Sequence, residues 1–223
     1  MILAKAPKKR PVAEPELDVI LGLKLLEEHY PGAHCELHHN SPYQLLVATL
    51  LSAQCTDERV NRVTPELFKR APNPQAMSQL PRSEVEALIR PTGFFKTKAK
   101  HLQELSIQLL SRHEGRVPED LEALTALPGV GRKTAQVVLG NCFRQATGIV
   151  VDTHVRRLSQ RWGWSRAHQP EKIEKVLCQK VPRSRWIALS HEMIFHGRRI
   201  CQARKPRCQS CFLFDHCPRL GVR

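Results

Sequence analysis

The chain has 223 residues, with 35 Lys and Arg against 21 Asp and Glu and a formal net charge of +14. An excess of that size is a statement about partners and points to nucleic acid; a membrane span is excluded, because no apolar run approaches the roughly 20 residues a bilayer requires. Eight cysteines, four of them inside seventeen residues at 201–217, argue against a disulfide-stapled secreted fold and for a reduced chain with one metal site.

Residues 1–15 combine Pro and Lys with no apolar core of signal-peptide length, so they read as a disordered basic tail on a cytoplasmic protein. Leu17, Ile20, Leu21 and Leu25 recur at helical spacing and predict a first helix ending near Tyr30-Pro31-Gly32. Ser41 before Pro42 predicts an N-cap with a first-turn proline. The helix it opens, over YQLLVATLLSAQ, is apolar nearly all round and belongs at the centre of a bundle. A third helix starts near Asp57, and Ala71-Pro72-Asn73-Pro74 breaks the chain after it. Ser83 and Glu86 predict a capping box for a short helix stopped by Pro91 and Gly93. Leu102, Leu105, Leu109 and Leu110 share one face of a helix over 96–112. Two helices flank the sequence LPGVGRK at 127–133, and others cover 153–162, 170–180 and 184–199. The β-like run Thr147 to Val151 is too short for a sheet and reads as a buried connector. The fold class is all-α, without a solenoid repeat, and the interruption at 145–148 marks a domain division.

Three segments carry chemistry. In the first, Pro128 blocks continuation of one helix, and Gly129 and Gly131 permit positive φ and close approach. Thr134 onward resumes a helical pattern, so the segment is a tight hairpin whose amides open a helix N-terminus, a phosphate site. Lys133 sits in the first turn of that helix. A lysine is protonated below about pH 10.4 and then not nucleophilic; the positive end of a helix, partial burial and the neighbouring Arg132 favour the neutral amine. A point charge on phosphate is the competing role. In the second segment, Val150-Val151-Asp152-Thr153-His154, Asp152 or Thr153 caps a following helix. Asp152 lies nineteen residues after the lysine, enough for one helix and a return, so the two can share a cleft. The third segment is Cys201, Cys208, Cys211 and Cys217, spaced C-x6-C-x2-C-x5-C. Structural zinc usually takes two close pairs and an iron–sulfur cluster tolerates wider spacing, so both remain open. The run between the first two cysteines, Gln202 to Arg207, has three positive charges and no negative one.

The combination of LPGVGRKTA, VDTH, the cysteine pattern and LLSAQCTD at 50–57 resembles the endonuclease III family, over essentially the whole chain from about residue 16. The resemblance implies a two-domain helix-hairpin-helix fold with a DNA cleft between the domains. One domain would be a six-helix barrel over 35–146; the other would join 16–34 to 147–223 and hold a [4Fe–4S] cluster on the four cysteines. It implies Lys133 as Schiff-base nucleophile, Asp152 as catalytic carboxylate and Gln54 as the residue filling the gap left by a flipped nucleotide. Phe94 falls where the family often places an aliphatic wedge. Gly129, Val130, Gly131, Arg132, Thr153, His154, Arg204 and Lys205 would be the further DNA contacts. Adenine mismatch glycosylases of the family generally lack the hairpin lysine and carry an extra C-terminal domain; here Lys133 is present and six residues follow Cys217. The implied activity is excision of oxidised pyrimidines from double-stranded DNA, followed by strand cleavage at the abasic site, by a monomer with the nucleoid if the source is bacterial. A mismatch-specific pyrimidine glycosylase and a non-catalytic DNA-binding module are the alternatives.

Overall fold

Short polar side chains set the helix starts, because each supplies an acceptor for an amide that the helix itself leaves unpaired. In the computed structural model, which describes residues 15–222, Asp18 caps α1 (Val19–His29) and Ser41 caps α2 (Pro42–Leu51). Thr56 caps α3 (Asp57–Arg70), and Asn73 caps α4 (Pro74–Gln79). There follow α5 (Arg82–Ile89), α6 (Phe95–His113), α7 (Leu121–Thr125), α8 (Arg132–Phe143), α9 (Thr153–Arg161), α10 (Pro170–Lys180) and α11 (Trp186–Arg199). No strand occurs among the described residues, as the all-α expectation required. The basic tail lies almost wholly outside the described residues.

The helices gather around two apolar cores. The first runs from Leu37 to Leu139 and centres on α2, where Leu45, Leu46, Val47 and Ala48 are fully buried. A wholly apolar helix finds no solvent face it can tolerate, so the centre is its stable place. The second core is discontinuous in sequence. Leu17, Leu23 and Leu26 of the N-terminal segment join Ile149, Leu158, Trp162, Trp164, Leu189 and Leu213. Two hydrogen bonds stitch it across the chain: Leu17 N donates to Trp162 O at 2.8 Å, and Trp164 Nε1 to Leu17 O at 2.7 Å. Burying each such Leu is worth about 1.5–3 kcal/mol. Thr147 to Val151 runs between them without strand geometry, with Ile149 fully buried.

Two local expectations are corrected and a third is extended. The inward face of α1 is Leu23, Leu26 and the following Tyr30, while Ile20 is 70% exposed. Gly22 sets this register: a Cβ there would lie 2.8 Å from Trp164 Cζ2, so the helix turns its glycine to the indole. The expected break at Ala71–Pro74 is present: α3 ends at Arg70, and Asn73 within the break caps α4, a short helix not expected from the sequence. And α5 begins at Arg82, with Ser83 making no cap; the Arg82 side chain instead reaches Gln103 Oε1 at 2.6 Å, and that tie fixes the start.

Candidate active site

The hairpin between α7 and α8 is closed by Val130 N donating to Leu127 O at 3.1 Å. Gly129 has φ +76, and a Cβ there would sit 2.8 Å from His101 Nδ1, so conformation and space both demand glycine. Gly131 differs from expectation: its φ is −90, because it serves as N-cap of α8. A Cβ on it would meet nothing within 4 Å, so its value is the clear approach it leaves to a partner. Val130 is buried and offers that partner only backbone. No side chain caps α8, so its first amides remain open to an anion.

The two residues after the hairpin point different ways. Arg132 turns to α10, where its guanidinium meets Glu174 in a fork at 2.8 and 3.1 Å, and Gln136 Nε2 joins the same carboxylate at 2.6 Å. Its charge is therefore shared with Glu174, which weakens it both as a phosphate contact and as a bare positive neighbour for Lys133. Lys133 is exposed at the rim, without the partial burial expected of it.

Asp152 is the N-cap of α9. One oxygen, Oδ1, accepts from both His154 N and Val155 N at 2.8 Å, leaving the other carboxylate oxygen uncommitted among the described residues. Lys133 and Asp152 line one inner hollow, together with His34, Ser190 and His191. Both also line the wider outer cleft that opens from it, where Gln54, Thr153 and His154 join them. Five of the sequence-named residues thus converge on one cleft. Phe94, Arg204 and Lys205 do not line it. Burial pushes His154 below the usual imidazole range, against the pull of Asp152.

Gln54 and Phe94 share an unusual backbone. Gln54 has φ +55 and Phe94 φ +47, in the left-handed region that non-glycine residues enter at a cost of about 1–3 kcal/mol. Phe94 is 67% exposed, an aromatic ring held toward solvent. Sequence reasoning missed Arg198, whose guanidinium joins Asp57 at 2.7 Å and also Glu36, tying α11 to the far wall of the cleft. These partners lie more than 140 residues away in sequence, and no local pattern announces them.

The four cysteines line a separate hollow with Trp162, His196 and Phe214. Burial, reinforced by Cys217, Cys201 and Cys208, pushes the Cys211 thiol up to about 11. Thiols that repel one another's ionised forms are a donor set completed by a cation. The four sulfurs line one hollow, and four thiolates are the donor set that an iron–sulfur cluster takes. The loop between the first two ligands is closed by Arg207 N donating to Ile200 O at 3.0 Å, and it holds Arg204 and Lys205 exposed. Arg157 and Arg161 of α9 grip its base: Arg161 Nη1 lies 3.2 Å from Cys201 Sγ, and Arg157 donates to Cys201 O. One helix thus carries the Asp152 carboxylate at its start and the cysteine loop at its end.

Comparison with known proteins bears on both features. Residues 47–183 match the HhH-GPD superfamily of base excision DNA repair proteins, and residues 201–217 match the iron-sulfur binding domain of endonuclease III. The chain is 50% identical over 196 residues to endonuclease III of Synechocystis sp., covering 88% of this chain and 90% of that protein. Two solved structures, a non-covalent endonuclease III–DNA complex and a trapped endonuclease III–DNA covalent intermediate, each match with a TM-score of 0.85 at 42% identity. Each match covers 89% of this chain and 93% of the solved one.

Proposed function

Given that the chain belongs to the endonuclease III family within the HhH-GPD superfamily of base excision DNA repair proteins, we propose a division of labour among its residues for the glycosylase and lyase reactions. The protein is a base excision repair DNA glycosylase with an associated lyase activity, and it carries a [4Fe–4S] cluster. Its substrates are oxidised pyrimidines and abasic sites in duplex DNA, and it acts as a monomer in the cytoplasm.

The open amides of α8 and the exposed Arg204 and Lys205 hold backbone phosphates without reading sequence. The lesion is flipped into the cleft, where its weaker pairing lowers the cost of extrusion, and Gln54 and Phe94 enter the space it leaves. Lys133 Nζ, as the free amine, bonds to the sugar C1′ as the bond from C1′ to the base breaks and the base leaves with that electron pair. Asp152 faces the positive charge that develops on the sugar. Loss of the ring oxygen from C1′ gives the Schiff base, which acidifies the C2′ proton; its removal expels the 3′ phosphate and cuts the strand. When bound to Cys201, Cys208, Cys211 and Cys217, the cluster supplies structure to the basic loop.

The observation that carries this reading is the placement of Lys133 and Asp152 on one cleft, the lysine beside unpaired helix amides and the aspartate with one oxygen to spare. Borohydride reduction during reaction with abasic duplex DNA should trap a covalent adduct of the wild type and none of Lys133→Ala. An adduct that survives in the variant removes Lys133 from the nucleophile's place.

A further inference from the structure

Lys98 is the one lysine in the interior among the described residues, 5% exposed in the first turn of α6. Its Nζ donates to Leu51 O and to Thr92 O, each at 2.8 Å. Leu51 is the last residue of α2, three positions before Gln54; Thr92 lies two positions before Phe94. A cation at the end of α2 answers the unpaired carbonyls and negative dipole there. Burial pushes the Lys98 ammonium below its usual range, which marks how costly it is to keep this group inside. Among the described residues no other hydrogen bond joins the turn of Gln54 to the turn of Phe94. Both turns hold a left-handed non-glycine residue with an exposed side chain, a conformation that lasts only where its surroundings fix it.

We propose that Lys98 is a positioning residue that locks the Gln54 turn to the Phe94 turn, so that the two side chains enter duplex DNA as one two-pronged probe at a set spacing. The inference rests on the reading that Gln54 and Phe94 face DNA. Lys98 itself touches neither the substrate nor the reacting atoms. Its effect is therefore confined to substrates with an opposite strand, because a single strand presents no gap to fill and no partner base to displace.

The test compares single-turnover cleavage at an abasic site in a duplex with cleavage of the same strand alone. Lys98→Met keeps the apolar stem and removes the ammonium; the duplex-to-single-strand rate ratio should fall at least tenfold. Gln54→Ala and Phe94→Ala should lower the same ratio, and adding Phe94→Ala to Lys98→Met should cost less than the product of the two effects, as coupled sites require. Where Lys98→Met fails to fold, Lys98→Gln serves, with a smaller fall in the ratio. Lys98→Arg, which restores charge and donors, should recover most of it. Equal losses on both substrates make Lys98 a general stabiliser and overturn the proposal, as does an unchanged ratio in the Lys98 variants while the probe variants lower it. If Gln54→Ala and Phe94→Ala leave the ratio unmoved, the DNA-facing reading fails and the inference with it.

Discussion

The cap that Asp152 makes and the electrostatic role proposed for it fall to different oxygens, and substitution can separate them. Oδ1 accepts from two amides of the first turn of α9, His154 N and Val155 N, at 2.8 Å, while the other oxygen has no such duty. In Asp152→Asn the amide oxygen can still cap, and the loss is the attraction of a carboxylate to the helix dipole, about 0.3–1 kcal/mol. For a chain of this size that lowers Tm by about 1–4 °C. Asp152→Ala also strands the two amides, for a total of about 2 kcal/mol at the upper end measured for caps, so its Tm should fall by about 4–8 °C. Under the proposed role, excision should respond to charge alone. Removing one preorganised group that faces developing charge costs about 10²–10³ in rate, and both variants should lose that factor alike. Thermal melting, paired with single-turnover base release from a duplex carrying one oxidised pyrimidine, reads the two roles separately. Excision at the wild-type rate by Asp152→Asn would refute the electrostatic role, and equal melting of the Asn and Ala variants would refute the cap.

Arg204→Ala and Lys205→Ala should each weaken binding to all DNA sequences and reduce the slope of log K against log salt by about 0.9, the contribution of one phosphate contact; an unchanged slope would place these side chains away from the backbone. Stability should also depend on pH through His191, whose Nε2 lies 3.0 Å from Asn141 Oδ1 and whose folded pKa burial, with His34 nearby, pushes down to about 4. Between that value and the ordinary value of about 6.5 the unfolded chain binds more protons, so this contribution is full above pH 6.5 and lost as pH falls through about 4. The Tm of His191→Gln should therefore vary less over this window than that of the wild type, and parallel profiles would dismiss the effect.

The parts of the site that were legible beforehand are those written in consecutive residues. The hairpin, the aspartate cap and the four cysteines each need only local spacing, and Ser41 with Pro42 announces α2 for the same reason. What escaped depends on contacts far away in sequence. The face of α1 is chosen by Trp164 pressing on Gly22, which no periodicity over residues 17–25 contains. Arg132 reads as a free cation until α10 brings Glu174 to it. Arg198 sits in a basic run, and nothing near it shows that Glu36 and Asp57 will claim its charge. Lys98 is the sharpest case: composition assigns a lysine to the surface, and only the meeting of two turns at its ammonium makes the interior the better place.

The second core has a consequence for how the chain is made. Its first strand of material, Leu17 to Tyr30, leaves the ribosome early, yet its partners extend to Leu213 and the last cysteine follows at Cys217. At about 5–20 residues per second, α1 waits about 10–40 s for them. The first core has all its residues by Leu139 and can close in the interval. The earliest helix is thus among the last to be packed, and the cysteines become available for iron only when synthesis is nearly over. Until then the apolar face of α1 lacks the partners that cover it in the finished fold.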